Sequence, residues 1–228
     1  MKAVQKEFSR FASEYNQYSI IQNQVAKKLI DDLKVRPQKI LDLGCGSGTL
    51  VSKIDWDYER FTGVDFSSKM LELHPKSENI ECLLGDFNED KLFEELVKTS
   101  YDRIFSSSSL QWAADLDRTL YQISQIKAPV SLAIFTSETF KTLLETAGIS
   151  SPLRSADEVA YLIGQYLHAD IEVVNYALEF ETVEDIFTYI KKSGVSGGRN
   201  ALDYKQMKAL MRNYPTKTLE FEVLFARS

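Results

Sequence analysis

The spacing of hydrophobic residues predicts an alternation of helices and strands over the first 135 residues of the chain. Ile21, Val25 and Leu29 recur four apart within 17–33, which is typical of an amphipathic helix. Short apolar runs predict strands at 39–43, 61–65, 80–84, 101–106 and 130–135. The segments between them predict helices at 49–54, 67–74, 90–99 and 115–126. Apolar strands that alternate with helices favour a parallel sheet covered on both faces.

The hydrophobic pattern changes after residue 135. The segments then predicted to be helical are 138–168 (with a loop at 148–154), 183–193 and 203–213. Residues 171–180 alternate like a half-exposed strand, and 219–226 alternates apolar with acidic residues. We expect these two strands to pair antiparallel, and the two helices between them to lie outside the sheet as a lid.

The stretch ILDLGCGSG, residues 40–48, joins the first predicted strand to a turn that contains three glycines. Such a turn presents backbone N–H groups and allows close approach, and both dinucleotides and S-adenosylmethionine are bound in this way. Gly44, Gly46 and Gly48 follow G-x-G-x-G, whereas the dinucleotide fingerprint is G-x-G-x-x-G. Asp42 favours a ligand with an ammonium group, since a carboxylate there would repel a pyrophosphate.

Two further acidic residues follow the next two predicted strands. Asp65 ends the second strand, where its two oxygens could accept hydrogen bonds from both hydroxyls of a ribose. A cap for the helix that begins at SSKML is the alternative role for Asp65. Asp86 ends the third strand. Because parallel sheets bind ligands at the carboxyl ends of their strands, we expect Asp42, Asp65 and Asp86 to face one site.

The pattern D-x-G-x-G-x-G resembles the first motif of class I S-adenosylmethionine-dependent methyltransferases. The resemblance implies S-adenosylmethionine as cofactor, with Asp86 accepting from the adenine amino group and Ser106 also in the cofactor site. Met70 and Phe87 would form the apolar walls of the adenine pocket, with core packing as the alternative for both. The implied fold is α/β and Rossmann-like, with a mostly parallel seven-stranded sheet, an antiparallel last strand and a helical lid insertion.

Segments at both ends of the chain are similar to malonyl-acyl-carrier-protein O-methyltransferases of biotin synthesis. The matching stretches are FSRFASEYNQYSIIQNQVAKKL (8–29), SSSSLQWAADLDRTL (106–120), IKKSGVSGGRN (190–200) and the Y-P and strand at 214–226. The resemblance therefore implies one methyltransferase domain over 1–228. Its expected parts are an N-terminal helical cap at 1–36 and lid or substrate elements at 138–168 and 182–217.

This resemblance implies methyl transfer to the carboxylate of a malonyl thioester. A carboxylate is already ionised at pH 7 and needs no strong general base, so alignment would carry the catalysis. Arg199 is the candidate partner for the malonyl carboxylate, because a guanidinium binds a carboxylate in a bidentate fork; a solvated loop arginine is the alternative. Tyr15, Gln111 and Trp112 are candidates for lining the methyl pocket, with structural packing as the alternative for Tyr15 and Trp112.

Composition and charge exclude several other functions. The 27 Lys and Arg against 33 Asp and Glu give a net charge of −6, which argues against nucleic-acid binding. Cys45 and Cys82 are too few for a disulfide framework or a zinc site. Without an apolar run of the roughly 18 residues that a membrane helix needs, and without the apolar core of a signal peptide at 1–15, we expect a cytoplasmic protein. A monomer is favoured.

One segment reverses the sign of the charge. Residues 186–217 contain a single acid and seven cations, Lys191, Lys192, Arg199, Lys205, Lys208, Arg212 and Lys217. A basic lid on an acidic body fits the docking of an acidic partner, here malonyl-loaded acyl carrier protein. A solvated helix face is the alternative.

Three other functions stay open at this stage. The first is another small-molecule methyltransferase of the same fold, acting on a free carboxylic acid or a quinone precursor. The second is a non-catalytic relative that binds the cofactor. The third is a nicotinamide oxidoreductase, against which the glycine spacing and Asp42 argue.

Overall fold

The computed structural model describes residues 18–192 and 204–228, which fold around one seven-stranded sheet. The strands are β1 (Lys39–Leu43), β2 (Arg60–Asp65), β3 (Ile80–Leu84), β4 (Arg103–Ser107), β5 (Val130–Phe135), β6 (Asp170–Glu179) and β7 (Thr218–Arg227). Their order is β3-β2-β1-β4-β5-β7-β6. The first five strands pair in parallel, and β7 runs antiparallel to both β5 and β6. The fold class predicted from the sequence is confirmed.

Helices connect these strands close to the predicted positions. They are α1 (Ile20–Asp31), α2 (Ser68–Leu73), α3 (Asp90–Leu96), α4 (Leu116–Gln125), α5 (Lys141–Ala147), α6 (Ala156–Tyr166), α7 (Val183–Lys192) and α8 (Tyr204–Asn213). None of the helices within the described ranges is both long enough and apolar enough to cross a membrane.

The helix predicted at 49–54 is wrong, because only a 3₁₀ turn, Val51–Lys53, forms there. The N–H of Ser52 reaches back to the carbonyl of Gly48 at 3.1 Å, but the next bonds span three residues. Ile54 is already extended, with φ −72° and ψ 122°. The connection to β2 is short, and the chain must straighten at once to reach it.

The sheet separates two hydrophobic layers. Because side chains of a strand alternate between faces, Ile40 and Phe61 pack into one layer with α1, while Leu41 and Val64 pack into the other with α3 and α4. These central strands are apolar on both faces, as in other covered parallel sheets.

Helices α7 and α8 connect β6 to β7 at the carboxyl edge of the parallel strands. Phe135, the last residue of β5, pairs with Val223, so that 218–222 of β7 extends beyond it. Both helices bury apolar side chains, including Ile186 and Leu210, in the layer that contains Ile40. Their function as a lid stays a prediction.

Candidate cofactor-binding site

A pocket opens at the carboxyl ends of β1 to β4. Strand order reverses between β1 and β4, and open α/β sheets bind their ligands at such a switch point. The residues that line the pocket are Gly44, Gly46, Asp65, Phe66, Met70, Phe87, Ser107, Ser108, Ser109 and Trp112. They come from the ends of four neighbouring strands, which the chain reaches at widely separated positions.

The pocket contains six of the residues selected from the sequence, namely Gly44, Gly46, Asp65, Met70, Phe87 and Trp112. Those that do not line it are Asp42, Gly48, Asp86, Ser106 and Gln111. Tyr15 and Arg199 lie outside the described residues. Phe66 and the serines at 107–109 were not predicted as site residues, although Phe66 directly follows Asp65 and the serine run ends a strand at the same edge.

The glycine loop needs residues without side chains. Gly44 has φ +80°, and a Cβ built there would lie closer to Cβ and Oγ of Ser109 than real Cβ contacts do. The N–H groups of Gly44 and Cys45 both donate to the carbonyl of Val64, at 2.8 and 3.0 Å. The loop therefore lies flat against the end of β2, and its backbone forms one side of the pocket.

Asp65 connects the glycine loop to the turn that starts α2. Its carboxylate accepts from the N–H of Gly46 at 3.0 Å and from the N–H of Ser67 at 2.8 Å. Ser67, rather than Asp65, caps α2, because its Oγ accepts from the N–H of Met70 at 3.4 Å. Burial raises the pKa of Asp65 to about 6, while the two backbone N–H groups oppose the shift.

Asp42 lies within β1 beneath the loop and is 1% exposed. Among the described residues its Oδ1 has no hydrogen-bond partner. Burial, together with the charge of Asp65, raises the pKa of Asp42 to about 8. A buried carboxyl group without a cation is costly, so this pair of acids fits a ligand that brings positive charge.

Asp86 follows β3 and is held by the turn that it begins. Its Oδ1 accepts from the N–H of Asn88 at 2.9 Å and from Nδ2 of Asn88 at 2.6 Å. Oδ1 of Asn88 accepts in turn from the N–H of Ala114 at 2.8 Å. This chain of bonds ties Phe87, which lines the pocket, to the segment that follows Trp112.

Ser106 is fully buried and supports the strand ends that carry the site. Its Oγ and that of Ser109 both lie 2.8 Å from the carbonyl oxygen of Leu43, and 2.6 Å from each other. Because each hydroxyl has one proton, these contacts use the full donor capacity of both serines. Ser106 thus holds the end of β1 against β4.

Ser108 is strained, and its side chain has no hydrogen-bond partner among the described residues. It has φ +60°, which is uncommon for a residue other than glycine. Nε2 of Gln111 donates to its carbonyl at 2.6 Å and supports this conformation. Within the described part of the chain, Oγ of Ser108 and Oε1 of Gln111 are both buried without hydrogen bonds. Strain and unpaired polar atoms of this kind cluster at ligand sites.

The geometry fits a cationic nucleoside. Asp42 and Asp65 place two carboxyl groups at the base of the glycine loop, and a cationic ligand would favour the ionised form of both. Met70, Phe87 and Trp112 provide apolar surface for a flat ring. These are the features that a sulfonium compound with an amino-acid end and an adenosine end requires.

Comparison with known proteins agrees with this fit. Residues 40–129 match the family model described as "Methyltransferase domain". A malonyl-[acyl-carrier protein] O-methyltransferase of Priestia megaterium is 30% identical over 92% of this chain and 86% of that protein. The protein of the same name from Bacillus cytotoxicus is 25% identical over 92% of this chain and 81% of its own length.

Among solved structures, a S-adenosylmethionine-dependent methyltransferase of Thermotoga maritima, described as a possible histamine N-methyltransferase, has a TM-score of 0.57. It is 14% identical, and the alignment covers 98% of this chain and 99% of that one. At this identity the likeness concerns the fold alone. The matches along the sequence, the strand order and the acid-lined glycine loop lead to one assignment: the chain belongs to the class I S-adenosylmethionine-dependent methyltransferases, and S-adenosylmethionine is its cofactor.

Proposed function

We propose that this methyltransferase esterifies the free carboxylate of a malonyl thioester, with acyl carrier protein as the acyl carrier, early in biotin synthesis. The observation that carries the proposal is the chemistry of the pocket. Among the described residues that line it, Asp65 is the one titratable side chain, and it is already bonded to the glycine loop. Among these described lining residues, an acceptor that must lose a proton has no free side chain to serve as a general base, whereas a carboxylate with a pKa near 4 needs none.

The proposed roles of the cofactor-site residues follow from their positions. Bound S-adenosylmethionine supplies a methyl group on a positively charged sulfur. We assign Asp42 to the cationic amino-acid end and Asp65 to the ribose, with Gly44, Gly46 and Gly48 giving close backbone approach. In the same proposal Asp86, Met70 and Phe87 surround the adenine, and Ser106 positions the end of β1.

The acceptor side of the proposal uses other residues. We assign Trp112 and Gln111 to the methyl-transfer end; Trp112 lines the pocket, and Gln111 supports the strained Ser108. Tyr15 remains a candidate for lining the methyl pocket, and Arg199 for binding the malonyl carboxylate. Catalysis then consists of excluding water and of aligning carboxylate oxygen, methyl carbon and sulfur.

The proposal also rests on the relatives. Proteins named malonyl-[acyl-carrier protein] O-methyltransferase align with most of this chain at 25% and 30% identity. The lack of a free general base among the described lining residues and the names of these relatives both support a carboxylate acceptor.

A transfer assay tests this proposal. Methyl-labelled S-adenosylmethionine is incubated with malonyl-carrier protein, with malonyl-pantetheine, or with acetyl-carrier protein, which lacks the acceptor carboxylate. We expect a base-labile methyl ester on both malonyl substrates and none on the acetyl control. Protein that binds the cofactor but forms no ester on either malonyl substrate would contradict the proposed function.

A further inference from the structure

Helix α8 presents three cations on one face. At 100° per residue, Lys205, Lys208 and Arg212 fall within about 60° of one another around the helix axis. They lie on the side opposite Leu210, which is 5% exposed and packs into the core. All three cations belong to exposed residues, and Met207 is 38% exposed beside them. The helix sequence YKQMKALMRN contains no acid.

No described residue neutralises this cationic face, which consists of Lys205, Lys208 and Arg212. None of its three residues forms an ion pair with another residue that the structure describes. Many other cations of the chain are compensated, as in Lys98 with Glu95 and Lys141 with Glu138. Because these cations have no counter-ion among the described residues, this surface attracts negatively charged partners even though the protein has a net charge of −6.

The position of α8 places the cationic face at the same edge of the sheet as the pocket. The helix lies between Glu179, where β6 ends, and Thr218, where β7 begins, and these two residues pair with each other. That end of the β6–β7 pair extends beyond Phe135 of β5, on the side where the carboxyl ends of β1 to β4 form the pocket. A partner bound to α8 would therefore lie at the edge of the sheet where the pocket is found.

We propose that the cationic face of α8 docks an acidic carrier protein whose tethered acyl group then enters the pocket. This inference rests on the proposed function and adds the surface that distinguishes a carrier-bound substrate from a small thioester. Complementary charge raises the association rate and selects the partner, while Met207, exposed at the side of this face, offers adaptable apolar contact.

Steady-state kinetics of matched double variants test the docking. Lys205→Ala/Lys208→Ala is compared with Lys34→Ala/Lys127→Ala, which removes the same charge from exposed lysines just before β1 and β5, at the opposite edge of the sheet. Neither control lysine forms an ion pair with a residue that the structure describes. We expect the α8 variant to raise KM for malonyl-carrier protein about tenfold with unchanged kcat. KM for malonyl-pantetheine, which has no acidic protein attached, should not change in either variant.

A conservative variant separates charge from shape. Lys205→Arg/Lys208→Arg should keep the original KM, because it retains both charges. Equal KM values for the α8 and control variants, or an equal effect on carrier-bound and small substrates, would overturn the docking proposal.

Direct binding distinguishes failure of docking from failure of the proposed function. Fluorescence anisotropy with labelled holo-carrier protein, which carries no malonyl group, requires no turnover. We expect binding that the α8 double variant weakens about tenfold and that the Lys34/Lys127 control leaves unchanged. Absence of binding by the unmodified protein would overturn the docking proposal, whether or not the methyl ester forms. So would an α8 double variant that loses binding to phosphatidylglycerol vesicles but keeps its affinity for the carrier protein.

Discussion

The hydroxymethyl group of Ser109 occupies the space that a side chain at Gly44 would need. The same serine lies 2.8 Å from the carbonyl oxygen of Leu43, so it cannot move away without losing a buried hydrogen bond. The glycine loop after β1 and the serine run after β4 are far apart in sequence. The backbone of the glycine loop nevertheless packs against the side chain of Ser109. The shape of the pocket depends on this contact.

Gly44→Ala tests that contact. The new methyl group would collide with Ser109, and alanine would have to adopt the left-handed conformation at φ +80°. We expect a loss of about 3 kcal/mol in the free energy of unfolding, measured in denaturant, and loss of cofactor binding.

Gly46→Ala is the matched control for this substitution. Gly46 has φ +53°, but nothing lies within 4 Å of a Cβ built there. It should cost about 1 kcal/mol, from backbone strain alone. Equal losses for the two variants would mean that Ser109 does not restrict position 44.

The stability of the cofactor-free protein should depend on Asp42 and pH. Because the pKa of Asp42 is raised to about 8 in the folded state, from 3.8, the folded carboxyl keeps its proton while the unfolded one ionises. Stability from this group is therefore fully present below pH 4 and is lost as the pH rises to about 8; Asp65, with its pKa raised to about 6, acts in the same direction. We expect Asp42→Asn to be about 2 kcal/mol more stable than the unmodified protein at pH 8, and nearly equal to it at pH 4.

Denaturant unfolding of both proteins across this range measures the difference. An Asp42→Asn variant that is less stable at pH 8 would show that the buried carboxylate has a stabilising partner. Asp90→Asn serves as the control, because Asp90 pairs with Arg118 on the surface.

Cofactor affinity should rise with pH through the same group. A cationic ligand favours the ionised form of Asp42, so at pH 6 binding must first remove a proton from the buried carboxyl. We expect the dissociation constant of S-adenosylmethionine to fall between pH 6 and pH 8, with release of a proton. Calorimetry in buffers of different ionisation enthalpy measures that proton, and Asp42→Asn should reduce the release to the part that Asp65 contributes. Buffer-independent heats at pH 6 would contradict ionisation of Asp42 on binding.

Relief of strain at Ser108 should stabilise the protein. Glycine adopts φ +60° without the penalty that other residues incur, so Ser108→Gly should gain about 1 kcal/mol in the free energy of unfolding. Ser107→Gly is the control, because Ser107 is the last residue of β4 and does not have positive φ. It should lose stability instead. Loss in both variants would mean that Oγ of Ser108 supports the fold, and that its strain is offset within the loop.

The sequence predicted the sheet and the position of the site because both depend on local patterns. Apolar runs such as ILDL identified the strands, and their parallel arrangement placed Asp65 and Gly44 at one edge. The antiparallel pairing of β6 with β7 followed from the alternation of apolar residues, for example Phe221 and Val223, with acids.

What the sequence did not predict depends on packing between distant segments. The serines that open SSKML do indicate the cap at Ser67, but nothing in the local pattern indicates that Asp65 turns to the glycine loop. Likewise, the partners of Ser106 are set by the approach of β1 to β4, which the local pattern does not contain. The bond of Gln111 to the carbonyl of Ser108 depends on a left-handed turn that a serine does not predict.

The central claim is that the acids beneath the glycine loop hold S-adenosylmethionine, and one titration tests it most directly. Calorimetry compares the unmodified protein with Asp65→Ala and with Asp90→Ala, whose side chain is on the surface, with circular dichroism to confirm folding. Because Asp65 can accept charge-assisted hydrogen bonds from a ribose, we expect Asp65→Ala to bind at least about tenfold more weakly and Asp90→Ala to bind normally. Unchanged affinity in Asp65→Ala, or binding of NADH in place of S-adenosylmethionine, would contradict the account.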